Sequence, residues 1–287
     1  MTPALTIPVA VEPMAFRLDV GDGIVSLGSC FADEVAARLA DSGFGVEQNP
    51  FGTLYNPASV AAALERLIDD REVTTADLVQ HEGLWHSWHH HGSFSHPTAD
   101  ECLAECNTRI HRAHVALQNA KLLIITFGTA WVYEHEGRVV ANCHKLPQQC
   151  FVRRRMSVGE VVALWQPLLE KLITYHSSLT TLFTVSPIRH MADGAHGNQL
   201  SKATLLMAVD QLITHRSSLI TYFPAYEIVL DELRDYRFFG ADMTHPTPLA
   251  ADIVLDRFEQ ATMSPATRQM THNNRKAAKY QRHTPFR

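Results

Sequence analysis

The sequence contains no long apolar run. Nowhere do about 18 consecutive apolar residues occur, which is the length that a membrane-spanning helix needs. Residues 1–20 also lack the charged start and apolar centre of a secretory signal peptide. These two absences predict a soluble, cytoplasmic protein without a membrane span.

Cysteine is scarce, with five residues in a chain of 287. An odd, scattered set in a chain without a signal peptide argues against a disulfide framework. Cys102 and Cys106 lie four positions apart on a predicted helix, a spacing that supplies half of a metal site. Two small buried side chains explain the same spacing more simply. The sequence therefore predicts no metal site and no cofactor.

Charged residues make up only 19% of the chain, and the net charge is −5. No basic face is visible in the body of the chain, whereas a dedicated nucleic-acid binder needs concentrated positive charge. Acidic residues are absent after Gln260, and residues 263–287 are predicted to form a basic, disordered tail. Such a tail either contacts RNA or an acidic partner or simply aids solubility, and we expect the second role.

Apolar residues make up 46% of the chain, enough for a full core. Strand and helix patterns alternate, which predicts a single α/β domain over 1–262, with a parallel sheet between two layers of helices. We expect this three-layer α/β/α domain to be flavodoxin-like, with a β-hairpin inserted at 131–141. The predicted strands are 24–27, 44–47, 121–128, 181–187 and 225–232. The predicted helices are 31–42, 57–68, 100–119, one that begins after Ser157, and 199–217.

Residues 74–96 are irregular and rich in histidine and tryptophan, above all between Trp85 and His96. Consecutive histidines cannot all reach one metal ion, and no nearby cysteine or aspartate completes a tetrahedral set. The composition favours a wall or lid of a substrate pocket over a zinc site. A packed surface loop is the other interpretation.

The most informative stretch is 23–34, where an apolar run is broken by Gly28, Ser29 and Cys30 and is followed at once by a helical pattern. It predicts a strand that delivers a nucleophile to a turn at a helix N-terminus. Unpaired backbone N–H groups and the positive end of the helix dipole favour a thiolate or an oxyanion there. A thiol at such a place, beside an imidazole, can ionise near neutral pH, which a hydroxyl cannot.

At these residues the chain resembles the GSCFA family, named for the letters at 28–32, which is similar to the SGNH (GDSL-like) hydrolases. Further blocks in the family's order stand at 49–57, 126–131, 142–145, 186–190 and 242–245. The resemblance implies the SGNH fold and an acyl-transfer site. The carboxyl ends of parallel strands meet at one sheet edge, so these blocks are expected to form one pocket.

Acyl transfer needs a nucleophile, an imidazole and a carboxylate. The spacing of Asp242 and His245 lets one turn supply the last two groups. Aligning Gly28 with the glycine of the hydrolases' Gly-Asp-Ser motif places Cys30 at the nucleophile, and Ser29 is the alternative. The thiol can also be inert and buried.

Oxyanion donors are expected from the backbone of Cys30 and Gly52. The relatives' side-chain donor is an asparagine, but Ala130 stands in its place here. Thr129 or Asn142 can substitute, although Asn142 is equally suited to a turn. Three further residues, Asn49, Arg189 and His190, are predicted to bind substrate; Arg189 and His190 can instead have structural hydrogen-bonding roles.

The sequence thus predicts a hydrolase or acyltransferase that acts on an ester, thioester or amide through a covalent acyl-enzyme. Its substrate is expected to be a small molecule or a glycan or acyl compound. The competing hypothesis is a binding module that kept the fold and lost turnover. Ala130 favours that hypothesis, and the intact Asp242 and His245 pair opposes it.

Overall fold

The computed structural model describes residues 6–214 and 219–283. The strands are β1 (Gly23–Gly28), β2 (Gly45–Gln48), β3 (Leu78–His81), β4 (Leu84–Ser87), β5 (Leu122–Phe127), β6 (Trp131–His135), β7 (Arg138–Val140), β8 (Val152–Arg155), β9 (Thr180–Val185) and β10 (Ile220–Tyr222). The helices are α1 (Cys30–Asp41), α2 (Pro57–Asp69), α3 (Ala99–Gln118), α4 (Val158–Tyr175), α5 (Gly194–Thr214), α6 (Ala225–Glu227), α7 (Pro248–Thr262) and α8 (Pro265–His283).

The central sheet contains five parallel strands in the order β10-β9-β5-β1-β2. Counted along the chain within this sheet, the order is 2-1-3-4-5, which is that of flavodoxin-like folds. The predicted α/β class and the parallel sheet are confirmed. The order changes direction between β1 and β5, so the loops after these two strands flank a crevice at the carboxyl edge.

Both faces of the sheet are buried because its central strands are apolar throughout. Along β5, Leu123 and Ile125 face a core formed with α2, α3, α4 and α5, whereas Leu122 and Ile124 face a second core formed with α1 and α7. This alternation gives the three layers predicted from the sequence.

The predicted strand at 225–232 is wrong. These residues form α6 and a following π-helical turn, Ile228–Glu232, and the fifth strand is the short β10. Ile228 and Val229 are fully buried in the second core. A short apolar run does not distinguish a strand from a buried helical turn, which explains the error. The predicted helix 199–217 begins earlier, at Gly194, and its residues 215–217 lie outside the described residues.

The predicted hairpin at 131–141 is confirmed as β6 and β7. Its turn residues, Glu136 and Gly137, both have positive φ, as a type I′ turn requires. Strand β8 extends the hairpin to a three-stranded antiparallel sheet. Neither β8 nor a second hairpin, formed by β3 and β4 inside 74–96, was predicted from the sequence.

The predicted disordered tail is also wrong where the structure describes it. Residues 265–283 form α8, which contacts α1 and α7. Arg275 pairs with the buried carboxylate of Glu259, and the Asn274 Nδ2 donates to the Ser42 carbonyl at 2.9 Å. The side chain of Thr271 is fully buried. The polar composition of this segment therefore reflects a helix that docks through hydrogen bonds and ion pairs; residues 284–287 lie outside the described residues.

Within the described part of the chain, no helix is long and apolar enough to cross a membrane.

Candidate active site

The last residue of β1, Gly28, lies very close to the backbone of Thr126 in the neighbouring strand β5. Gly28 has φ of +141°, and a Cβ atom there would lie 2.2 Å from the carbonyl oxygen of Thr126. Only glycine fits this approach. Ser29 then caps α1 in an extended conformation, and Cys30 is the first residue of the helix. The predicted strand, turn and helix are therefore confirmed.

A thiol, an imidazole and a carboxylate lie in a row at the crevice. They belong to Cys30, His245 and Asp242, with the imidazole in the middle. The Cys30 Sγ is 3.9 Å from the His245 Nε2, and the Asp242 Oδ2 is 2.5 Å from the other ring nitrogen, Nδ1. The Asp242 Oδ1 accepts the backbone N–H groups of Thr244 and His245, at 2.9 and 3.0 Å. These N–H donors hold the pKa of Asp242 well below its usual range, so the carboxylate stays ionised beside the imidazole. The structure thus brings two distant segments of the chain, the turn at Cys30 and the turn at 242–245, into the arrangement expected from the sequence.

Ser29 lies next to Cys30 but takes no part in this arrangement. Its side chain is 1% exposed, and its Oγ has no hydrogen-bond partner among the described residues. The group that faces the imidazole is the Cys30 thiol.

Burial raises the pKa of the Cys30 thiol above its ordinary value. The Asp33 carboxylate also raises this pKa, whereas the N–H groups of Cys30 and Phe31, in the first turn of α1, and the nearby Lys202 lower it, and the net shift is upward. The expectation that the thiol can ionise near neutral pH is therefore wrong. A neutral thiol needs His245 to accept its proton as the sulfur attacks.

Two residues assigned to the site from the sequence, Asn49 and Gly52, form hydrogen bonds within the protein and do not line the cavity. Asn49 is 5% exposed; its Oδ1 accepts the Gly28 N–H at 2.8 Å, and its Nδ2 donates to the Asp33 carboxylate at 2.8 Å. The predicted substrate-binding role of Asn49 is wrong, because both of its polar groups are used inside the protein. The Gly52 N–H donates to the Asn49 carbonyl at 2.7 Å and is not free for an oxyanion. The predicted oxyanion role of Gly52 is therefore wrong as well.

A cavity of about 450 Å³ opens beside the thiol. Thr129, Asn142, Arg189 and His190 line it with Cys30 and His245. The structure thus places every other predicted oxyanion or substrate residue at the same cavity.

The two substitute oxyanion residues differ in how their groups are used. The Thr129 Oγ1 is 3.0 Å from the Ser201 Oγ and accepts the Trp131 N–H at 3.2 Å. The Asn142 Oδ1 accepts the His144 N–H at 2.8 Å, so Asn142 does form a turn. No described residue accepts a hydrogen bond from the Asn142 Nδ2, which leaves this donor available at the cavity.

His190 and Arg189 provide different chemistry. Burial and the nearby Lys202 lower the pKa of His190 to about 4, so its ring is neutral at pH 7. Its Nε2 is buried without a partner among the described residues. The Arg189 guanidinium lies 5.1 Å from the centre of the Phe239 ring, and the Arg189 N–H donates to the Thr244 carbonyl at 3.3 Å.

Lys202 is a further residue of the site that the sequence analysis missed. Its side chain is 1% exposed, and its Nζ donates to the carbonyl groups of Gly128 and Ser186, both at 2.6 Å. A signal was present, because Lys202 occupies the same helical stripe as the buried Leu205 and Val209.

The histidine-rich segment does not line the cavity, so the expectation of a pocket wall or lid is wrong. Two of its histidine rings, those of His86 and His90, are buried inside the protein. The ring of His86 stacks on that of His144 with centroids 4.6 Å apart, and His90 is fully buried against Phe51 at 4.6 Å. No group of three or more potential ligands is arranged to hold a metal ion anywhere in residues 6–214 and 219–283.

Comparisons with known proteins give one family match and similarities to solved structures. The family model described as "GSCFA family" matches residues 23–258. A carbohydrate esterase family 2 enzyme with a carbohydrate-binding domain, from Corynascus thermopiles (Myceliophthora fergusii), is similar at 10% identity and a TM-score of 0.41, covering 89% of this chain and 67% of that one. An acetyl xylan esterase from the rumen bacterium Butyrivibrio proteoclasticus is similar at 9% identity and a TM-score of 0.42, covering 88% of this chain and 65% of that one. The chain thus spans about two thirds of each of these proteins. No curated protein matches it.

Proposed function

The chain belongs to the GSCFA family, and from this membership together with the geometry around Cys30 we propose that it is a hydrolase or acyltransferase that forms an acyl-enzyme. The observation that carries the proposal is the arrangement of a thiol, an imidazole and a carboxylate at the mouth of one cavity. The substrate is an ester, a thioester or an amide.

In the first step the Cys30 sulfur attacks the carbonyl carbon, and its proton passes to the His245 Nε2. Asp242 holds the imidazole through Nδ1 and stabilises the imidazolium that forms. The tetrahedral intermediate collapses, the leaving group departs with the proton from His245, and the acyl group stays on sulfur.

In the second step His245 takes a proton from water or from an acceptor hydroxyl or amine, which attacks the thioester carbon; the carbon–sulfur bond then breaks, and the Cys30 sulfur takes the proton back from His245. The negative oxygen of each intermediate is bound by the Cys30 N–H and the Asn142 Nδ2. Two observations support this assignment. The Cys30 N–H lies close enough to the sulfur to lower the pKa of the thiol, and the Asn142 donor has no protein acceptor.

The alternative is a binding module without turnover, and one observation favours it. Ala130 occupies the place of the relatives' side-chain donor, and its N–H is bonded to the Ser201 Oγ at 2.8 Å. This position therefore offers nothing to an oxyanion. The intact contacts of His245 are the argument for the enzyme.

Intact-mass measurement after incubation with short p-nitrophenyl esters and acyl thioesters separates the two proposals. Wild type and Ser29→Ala should gain one acyl group, and Cys30→Ala and His245→Ala should not. An adduct that persists in Cys30→Ala would overturn the thiol mechanism. If no donor gives an adduct or turnover with wild type, the binding module becomes the better account.

A further inference from the structure

The charges around the cavity do not cancel. Two arginines and one aspartate line it, namely Arg153, Arg189 and Asp193. The Arg153 guanidinium pairs with the Asp193 carboxylate and stacks on the Trp131 ring, 4.2 Å from the ring centre. This pair is therefore neutral overall, and Arg153 is held against the aromatic wall.

Arg189 has no such partner. Among the described residues, no carboxylate lies within ion-pair distance of its guanidinium, which rests on the Phe239 ring. The Arg189 backbone is bonded to Thr244, the residue before His245. Arg189 lines the same cavity as the imidazole of His245, and its guanidinium has five N–H donors.

The other charged groups near the cavity are already bonded inside the protein, and the Asp33 carboxylate, close to Cys30, accepts hydrogen bonds from Gln48, Asn49 and Thr53. The buried Lys202 lies behind the loop of Gly128, where only carbonyl oxygens accept its hydrogen bonds. The Asp242 carboxylate is already used by His245. A planar guanidinium without a carboxylate partner suits an oxyanion group that binds through two parallel hydrogen bonds.

We propose that the substrate of this site carries an oxyanion group, a carboxylate or a phosphate, in addition to the acyl bond, and that Arg189 binds it. This inference rests on the proposed function, because it assigns a substrate class to the same cavity. Arg189 is a specificity-determining residue here and takes no part in the proton transfers.

The alkylation of Cys30 tests the proposal without any acyl transfer. Iodoacetate carries a carboxylate and iodoacetamide is neutral, while both alkylate the same sulfur. The measured quantity is the rate of alkylation by iodoacetate divided by the rate of alkylation by iodoacetamide, determined at Cys30 by peptide mass spectrometry. Cys150, which does not line the cavity, is the internal reference. Because close opposite charges attract more strongly near a low-dielectric wall than in water, the ratio should be higher at Cys30 than at Cys150.

Three variants complete the test. Arg189→Gln should lower the Cys30 ratio about fivefold or more, and Arg189→Lys should restore part of it. Arg237→Gln removes the same charge from an exposed arginine paired with Asp235 and should leave the ratio unchanged. Equal ratios in wild type and in a folded Arg189→Gln variant would overturn the proposal. Protection of Cys30 by succinate or by inorganic phosphate then distinguishes the two oxyanions.

Esters provide the second measurement. Wild type should hydrolyse or transfer mono-4-nitrophenyl succinate with a higher kcat/KM than 4-nitrophenyl acetate if the group is a carboxylate on the acyl side. Arg189→Gln should remove this preference, and the exposed-arginine control Arg237→Gln should keep it. If neither ester reacts, the proposed acyl chemistry fails, while the alkylation ratio still decides whether the cavity selects anions.

Discussion

The ammonium group of Lys202 donates a hydrogen bond of 2.6 Å to the carbonyl oxygen of Gly128. The Lys202 side chain is buried. A second bond of 2.6 Å reaches the carbonyl of Ser186. These carbonyls follow the ends of β5 and β9, so Lys202 ties together the loops that carry Thr129 and Arg189. No described carboxylate accepts from this ammonium group, and burial lowers the pKa of Lys202 to about 7.

This lowered pKa predicts a specific pH dependence of stability. The ordinary lysine pKa is 10.5, so between pH 7 and 10.5 the unfolded chain binds a proton at Lys202 that the folded chain does not. Stability from this group therefore rises with pH across that window and is lowest below pH 7. The free energy of unfolding of wild type minus that of Lys202→Met should rise by about 1.4 kcal/mol per pH unit between 7 and 9.

Urea unfolding at pH 7, 8 and 9 measures this difference. The control is Lys171→Met, which removes an exposed lysine paired with Asp69 and should give a difference that does not change with pH. If the free energies of unfolding of wild type and Lys202→Met changed equally with pH, the ammonium group of Lys202 would not be buried without a compensating charge.

The glycine before the thiol gives a second prediction. Gly28→Ala should cost about 3 kcal/mol or more of stability, because its Cβ would collide with the Thr126 carbonyl oxygen and its φ is positive. Gly159→Ala is the matched control, since nothing lies within 4 Å of a Cβ there and the residue is helical. It should stabilise the protein by up to about 1 kcal/mol. Thermal unfolding compares the two; similar melting temperatures would show that the turn tolerates a side chain.

The buried His144 gives a third prediction, for acid. Burial lowers its pKa from the ordinary 6.5 to about 4. Its contribution to stability is fully present above pH 6.5 and is lost as pH falls from 6.5 to 4, by about 3 kcal/mol in total. His144→Asn should lose less stability over this range than wild type does, and asparagine tolerates the φ of +48° at this position.

Chemical unfolding at pH 7, 5.5 and 4.5 gives the slopes for this comparison. His272→Asn, at an exposed position on α8, should follow the wild-type slope. If His144→Asn also follows it, the imidazole is not held neutral by burial.

The docking of α8 gives a fourth prediction. Arg275→Met should cost about 3 kcal/mol, because it leaves the carboxylate of Glu259 buried without its cation. Arg282→Met removes an exposed pair with Asp41 on the same helix and should cost less than about 1 kcal/mol. Urea unfolding distinguishes these values. Equal stability of both variants and wild type would mean that α8 does not pack as described.

The elements that the sequence determined are those whose signal is local. The continuous apolar run of β5 requires a strand buried on both faces, and Thr98 and Ser157 cap α3 and α4 as their spacing to glutamate indicates. The meeting of Cys30 with His245 was expected from the family blocks at 28–32 and 242–245, although the segment before His245 is helical and not the predicted strand. The strand predicted at 225–232 was wrong, because the same apolar residues fit either a strand or a buried helical turn.

The tertiary structure alone decided how polar groups are used. Asn49 and Asn142 were both assigned to the site from the sequence. The side chain of Asn49 is hydrogen-bonded to Gly28 and Asp33 inside the protein, whereas the Asn142 Nδ2 has no acceptor among the described residues and lies at the cavity. The raised pKa of Cys30 and the lowered pKa of Lys202 depend on burial by residues far away in the chain. Hydrogen bonding and desolvation depend on every atom within a few ångströms, whichever part of the chain supplies it, whereas periodicity and capping involve only neighbours in sequence.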